Sequence, residues 1–96
     1  MSFAEAALGQ KMIKEAPAVL LYSAVFDRTV ERYGERGRGY VYMDLGHSAQ
    51  NVYLQTEALR LGTCVIGAFT DNRVSQALKL PANEEPLCIM PIGYPR

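Results

Sequence analysis

The feature that most constrains this chain is a predicted helix over residues 40–61 that is apolar on two opposite faces. Five residues of one face fall within about 40° of a common direction at about 100° per residue: Leu45, Ala49, Val52, Thr56 and Leu59. The opposite face carries Met43, Leu54, Ala58 and Leu61. A helix of this kind is covered on both sides, once by its own sheet and, in a chain of 96 residues, once by another subunit. We therefore predict a dimer interface that draws on Leu45, Ala49, Val52, Leu54 and Ala58.

Three short apolar runs predict the strands. They are AVLLYSAVF at 18–26, TCVIGAF at 63–69 and LCIMPIGY at 87–94. Their β-branched and aromatic residues are typical of strands that are covered on both faces. Further helices are predicted over 2–15 and after the N-cap candidates Thr70 and Asp71. This alternation predicts a single α+β domain over 1–96, with a small mixed or parallel sheet of about three strands against the long helix.

Charge and hydropathy exclude several classes of protein. Ten basic and ten acidic side chains leave a net charge of zero, which argues against nucleic-acid or membrane-surface binding. The predicted loop 27–39 carries four Arg, but three acidic residues offset them. No apolar stretch approaches the roughly 20 residues that cross a bilayer. The N-terminus has no signal-peptide layout, so a cytoplasmic protein is expected.

The cysteines and the single histidine point to structural roles. Cys64 and Cys88 lie in separate apolar runs without metal-ligand spacing, so we predict two buried, reduced thiols and no metal site. His47 and Gln50 lie on the Met43 side of the long helix. They are predicted to line a cofactor or a subunit interface, and an interfacial histidine is favoured over a general base.

Three motifs carry a family resemblance: GHSAQN at 46–51, LGTCVIGAF at 61–69 and PLCIMPIGYP at 86–95. In this order and spacing they resemble the C-terminal half of the flavin-dependent nitroreductase superfamily. Within it they are most similar to the SagB/ThcOx-type dehydrogenases, which include the azoline oxidases of thiazole- and oxazole-modified peptide biosynthesis. The resemblance implies a nitroreductase-like α+β half-fold and FMN bound at a homodimer interface, with both subunits contributing to each site.

The resemblance also assigns roles to individual residues. Val65 and Ile66 would lie against the flavin ring, and the backbone of Gly67 with Ala68 would approach flavin N5, since glycine allows close approach. The alternative is that Gly67 only ends a strand. A Lys-Tyr pair of the azoline-oxidising branch corresponds to Arg32-Tyr33 here. Arg cannot act as a base near neutral pH, so Tyr33 is the candidate for proton handling, with a solvated loop as the alternative.

The chain departs from the family in its phosphate contacts. The RRSxR-type motif of the family's N-terminal half does not occur in this sequence. Arg96 or an Arg of the 28–38 loop is the remaining candidate for a phosphate contact. One hypothesis is an FMN-dependent oxidoreductase, or half of one, that transfers electrons between NAD(P)H or substrate and a small-molecule or peptide acceptor. A missing N-terminal half or a second copy would complete it. The other hypothesis is a non-catalytic dimerisation module of the same fold.

Overall fold

The computed structural model describes residues 10–94, without the side chains of Lys11 and Met12. Its helices are α1 (Lys11–Glu15), α2 (Asp27–Tyr33), α3 (Arg36–Ala58) and α4 (Asp71–Ala77), and its strands are β1 (Ala18–Ala24), β2 (Gly62–Thr63) and β3 (Glu85–Gly93). Most of the helix predicted over 2–15 lies outside the described residues. No helix within 10–94 has the length and apolar character needed to cross a membrane.

The three strands form one sheet in the order β1-β3-β2, and both pairings are antiparallel. Leu20 faces Met90 across one pairing, and Gly62 faces Gly93 across the other. The α+β class and the three strands are confirmed, but the mixed or parallel sheet was wrong. β1 and β2 run in the same direction, because α2 and α3 lead the chain back between them. However, β3 then inserts between them in the opposite direction, so no two parallel strands are neighbours.

The core lies on both faces of β3, because successive side chains of a strand point to opposite sides. Ile89 packs on one face with Ile13 and Ile66. Cys88 and Met90 pack on the other face with Ala49 of α3. The predicted burial of the third strand is therefore confirmed. β1 is an edge strand whose residues are half-buried or exposed. Val19 and Leu21 pack on one face and Tyr22 on the other, so the predicted coverage of both faces is partial.

The long helix α3 covers one face of the sheet. Leu45, Val52 and Tyr53 pack with Ala49 against the β3 residues, and the hydroxyls of Tyr22 and Ser48 share a hydrogen bond that joins β1 to α3. On the opposite side, Met43 and Leu54 are each 60% exposed. The helix is confirmed, although it begins at Arg36 rather than at residue 40.

The charged segment 27–39 was predicted as a loop, and this was wrong. It forms α2 and the first turn of α3, with its Arg side chains exposed along the two helices. Gly34 ends α2 at a φ of 69°, a left-handed conformation that favours glycine. Gly37 is buried, and a Cβ there would lie 3.0 Å from the Thr29 carbonyl oxygen. The glycines therefore mark a tight corner between two packed helices, which composition alone does not distinguish from a loop.

The predicted strand 63–69 is mostly irregular. Only Gly62 and Thr63 belong to β2, and a single bridge then joins Ile66 to Ile89. The helix predicted after Thr70 is confirmed as α4, with Thr70 in the N-cap position. The segment between β2 and α4 is thus a corner that is tied to β3 at one residue.

Candidate functional site

Residues 65–68, hereafter the 65–68 corner, are held by hydrogen bonds from three different elements. The Val65 N–H donates to the Tyr53 hydroxyl of α3 at 2.7 Å. Ile66 exchanges two backbone bonds with Ile89 of β3, at 2.8 and 2.9 Å. The Ala68 carbonyl accepts a bond from the Gln10 side-chain amide at 2.8 Å. The backbone of the corner is therefore fixed on both sides of Gly67.

The corner presents an open face at Gly67. The residue is exposed, and a Cβ built on it would meet no heavy atom within 4 Å. Its N–H has no acceptor among residues 10–94. Val65 beside it is 39% exposed. A free amide next to an apolar side chain can receive a flat ligand that carries a hydrogen-bond acceptor at its edge.

Ile66 does not share this open face. It is 5% exposed and belongs to the cluster of Ile13 and Ile89. Because side chains alternate along extended backbone, Ile66 points into the core when Val65 points outward. The prediction that Ile66 contacts a ligand ring is therefore corrected, and the residue is assigned to the core.

Tyr33 lies away from the corner in the same chain. Its ring makes an edge-to-face contact with Tyr40, with 5.3 Å between the centroids, and Arg32 lies over it. Tyr40 and Tyr53 are separated by about 20 Å along α3, at about 1.5 Å per residue. A single chain thus does not bring Tyr33 and the 65–68 corner together. Arg96 lies outside the described residues.

The predicted interface residues of α3 divide into two groups. Ala49 is buried, and Leu45 and Val52 are half-buried and pack in the same intrachain cluster. These three contribute to the core of the chain, and their place at a dimer interface stays a prediction. Leu54 and Ala58 remain exposed. They belong to a stripe at helical spacing that we call the outer face of α3: Met43, His47, Gln50, Leu54 and Ala58, all exposed.

The charged side chains of the described region do not form an anion-binding site. Each Arg and Lys in 10–94 whose side chain is described is exposed. One ion pair joins Arg38 to Glu85 at 3.9 Å, with both side chains about half exposed. Exposed pairs of this kind contribute little to the stability of the fold. No group of three or more His, Cys, Asp or Glu within this region could hold a metal ion.

Tyr53 and Gln10 were not predicted to contact the corner. Each contacts the corner across a separation in sequence, 12 residues for Tyr53 and 58 for Gln10. Tyr53 does lie at helical spacing from Ala49 and Thr56, which indicates that it faces the core. No local pattern indicates that its hydroxyl reaches a backbone amide in another segment.

The two cysteines differ in environment. Cys88 is 3% exposed, and burial raises the pKa of its thiol, as predicted for a structural cysteine. Cys64 is exposed, which contradicts its predicted burial. The run that contains it is a corner, so its side chains are not all enclosed.

This difference predicts a stepwise thiol titration. In the native chain near pH 8, a water-soluble disulfide reagent should modify one thiol quickly, because the thiolate is the reactive form and Cys64 is accessible to solvent. Cys88 should react only after denaturation. A Cys64→Ser variant should show no fast phase, and a fast phase that persists in that variant would contradict the assignment.

Comparison with known proteins supplies a family context for this geometry. The model of the nitroreductase family matches residues 2–94. A protein of Methanocaldococcus jannaschii, provisionally named a nitroreductase, is 50% identical over 88 residues, which are 92% of this chain and 43% of that protein.

Solved structures have the same fold. A crystal structure from Anabaena variabilis, also provisionally named a nitroreductase, is 33% identical with a TM-score of 0.89, and the match covers 98% of this chain and 19% of that one. The NADPH:FMN oxidoreductase of Vibrio harveyi, in complex with NAD+, is 26% identical with a TM-score of 0.80, over 97% of this chain and 43% of that one. The chain thus spans less than half of the length of each of these proteins.

Proposed function

Because the chain belongs to the nitroreductase family, we propose that its 65–68 corner is the flavin-facing part of an FMN-dependent oxidoreductase. The reaction would transfer two electrons between a reduced nicotinamide or the substrate itself and a small-molecule or peptide acceptor. One observation carries this proposal: Gly67 is exposed and its N–H has no acceptor within residues 10–94, while hydrogen bonds hold the residues on both sides of it.

The residues of the corner fit the ring portion of FMN. When bound, the flavin supplies the two-electron redox chemistry, and a protein tunes it through hydrogen bonds to the ring nitrogens. Val65 would pack against the ring, and the Gly67 N–H would donate a hydrogen bond to a ring nitrogen. The bonds on Val65, Ile66 and Ala68 would keep that amide in place, so that it need not reorganise during the reaction.

The phosphate of FMN is not matched in the same way. A phosphate dianion is best held by several donors and cations in fixed positions, whereas the described Arg and Lys side chains are all exposed. We propose that residues beyond 10–94, among them Arg96, and a second polypeptide supply these contacts. The second polypeptide is either another copy or an N-terminal half to which this chain is the C-terminal complement.

A homodimer would also explain the placement of Tyr33. The outer face of α3 exposes Leu54 and Ala58 along one stripe, and a second copy packed there would remove this apolar surface from water. Tyr33 of one copy would then handle protons at the 65–68 corner of the other copy. Within a single chain, Tyr33 lies too far from that corner. The finer assignment to SagB-type dehydrogenases, with Tyr33 in proton handling, rests on the GHSAQN, LGTCVIGAF and PLCIMPIGYP motifs.

Native mass spectrometry of the purified chain after incubation with FMN tests this proposal. The expected spectrum is a dimer that carries FMN, with a yellow sample that absorbs in the flavin region. Riboflavin, which lacks the phosphate, serves as the matched ligand control and should bind more weakly. A chain that takes up neither ligand would contradict an oxidoreductase that is completed by a second copy of this chain.

A non-catalytic dimerisation module is the second candidate. The exposed apolar residues of the outer face and the exposed cations favour it, because they provide an association surface without a phosphate site. This candidate predicts a dimer without flavin in the same spectrum. Subunit number and flavin content, measured together, therefore separate the two functions.

A further inference from the structure

We propose that Tyr53 is a positioning residue that orients the Gly67 amide toward its ligand. The inference rests on the proposed function, because the ligand is taken to be a flavin. It assigns to an α3 side chain a role in the 65–68 corner that is distinct from core packing. Tyr53 touches no ligand in this proposal and acts through the backbone of Val65.

The Tyr53 hydroxyl is well suited to hold the corner. Its ring packs in the cluster of Ala49, Cys88 and Met90, so the hydroxyl projects from a side chain with little freedom to move. The Val65 N–H donates to it at 2.7 Å, a short distance for an N–H donor. The corner is thereby attached to α3 as well as to β3.

The hydrogen bond between Val65 and Tyr53 determines which backbone N–H of the corner is left without an acceptor among residues 10–94. The Val65 N–H is satisfied by Tyr53, and the Ile66 N–H is satisfied by the Ile89 carbonyl. Counted from Val65, Gly67 is therefore the first residue of the corner whose N–H has no acceptor within residues 10–94. Without the Tyr53 hydroxyl, the Val65 N–H would lose its acceptor, and two amides would compete for the same acceptor on a ligand.

The variant Tyr53→Phe separates this role from packing, because it removes the hydroxyl and keeps the ring. Tyr42→Phe is the matched control. Tyr42 lies on the same helix, is 51% exposed and contacts Phe26 through its ring, and its hydroxyl has no hydrogen bond within the described residues. Each variant removes one hydroxyl oxygen from α3, but only the Tyr53 hydroxyl contacts the corner.

Two measurements on the 96-residue chain test the proposal. Amide hydrogen exchange should be at least about tenfold faster at Val65 in Tyr53→Phe, which loses one hydrogen bond, with Ile89 still protected. FMN should bind roughly three- to tenfold more weakly, and the absorption band of the bound flavin should shift. Tyr42→Phe should match the wild type in both measurements.

The outcomes distinguish this inference from the proposed function. If the wild type binds FMN and Tyr53→Phe binds it with the same affinity and spectrum, the positioning role is wrong and the function stands. If Ile89 also loses protection in Tyr53→Phe, the hydroxyl supports the fold as a whole and the positioning role is again wrong. If the wild type takes up no flavin, the function proposed for a dimer of this chain fails and this inference fails with it.

Discussion

Replacing Ile89 by Ala is expected to remove a large part of this chain's free energy of unfolding at room temperature. Ile89 is fully buried at the centre of β3, where it packs with Ile13 and Ile66 and pairs with Ile66 through two backbone bonds. Truncation of a buried Ile to Ala costs about 2–5 kcal/mol. The total stability of small domains starts at about 5 kcal/mol, so the loss removes a large part of it.

Urea denaturation followed by circular dichroism measures this effect. The matched control is Ile89→Val, which removes one methyl group and should cost about 0.5–1.5 kcal/mol. A second control is Leu78→Ala at a residue that is 39% exposed, where the loss should be smaller than at Ile89. An Ile89→Ala variant as stable as Ile89→Val would show that β3 is not the centre of the core.

Replacing Gly67 by Pro is expected to reduce FMN affinity by about 10- to 100-fold, the range for one hydrogen bond to a polarised acceptor. Proline has no N–H, so the substitution removes the donor on which the proposed function depends. The fold should tolerate it, because Gly67 is exposed and its Cβ position is open. Ile66 before it is in extended pairing, which proline favours in the preceding residue.

Gly67→Ala is the control for this substitution, because it adds a Cβ and keeps the N–H. Isothermal titration with FMN should give a clearly lower affinity for Gly67→Pro than for Gly67→Ala, because both substitutions add a Cβ and only proline removes the N–H. Circular dichroism should be the same for all three proteins. Equal FMN binding by Gly67→Pro and Gly67→Ala would mean that the amide is not the contact.

Periodicity in the sequence was sufficient for much of the fold. The continuous apolar run over 87–94 predicted a strand covered on both faces, and in β3 Cys88 and Met90 pack on one face and Ile89 on the other. The long helix was identified because its two apolar faces repeat at helical spacing. The charged segment 27–39 was misassigned, because glycines at a tight helix corner and glycines in a loop look the same in sequence. The difference is the contact of Gly37 with Thr29.

The candidate site was only partly predictable. The family motifs led to the segment 65–68, where Val65, Gly67 and Ala68 are exposed and Ile66 is buried. The same motifs grouped Ile66 with Val65, although the two side chains point in opposite directions. Cys64 was expected to be buried because its neighbours are apolar, yet it is exposed at the corner. Apolar composition does not indicate which residues of an irregular segment turn outward.

The sequence by itself determined the α+β class, the long helix, the buried third strand and the family, because these depend on local periodicity and on motifs. The tertiary structure alone decided the antiparallel order β1-β3-β2 and the division of α3 into a core face and an outer face. It also decided that Tyr53 and Gln10 hold the 65–68 corner. These features depend on contacts between segments distant in sequence, and such contacts form only when the segments pack together.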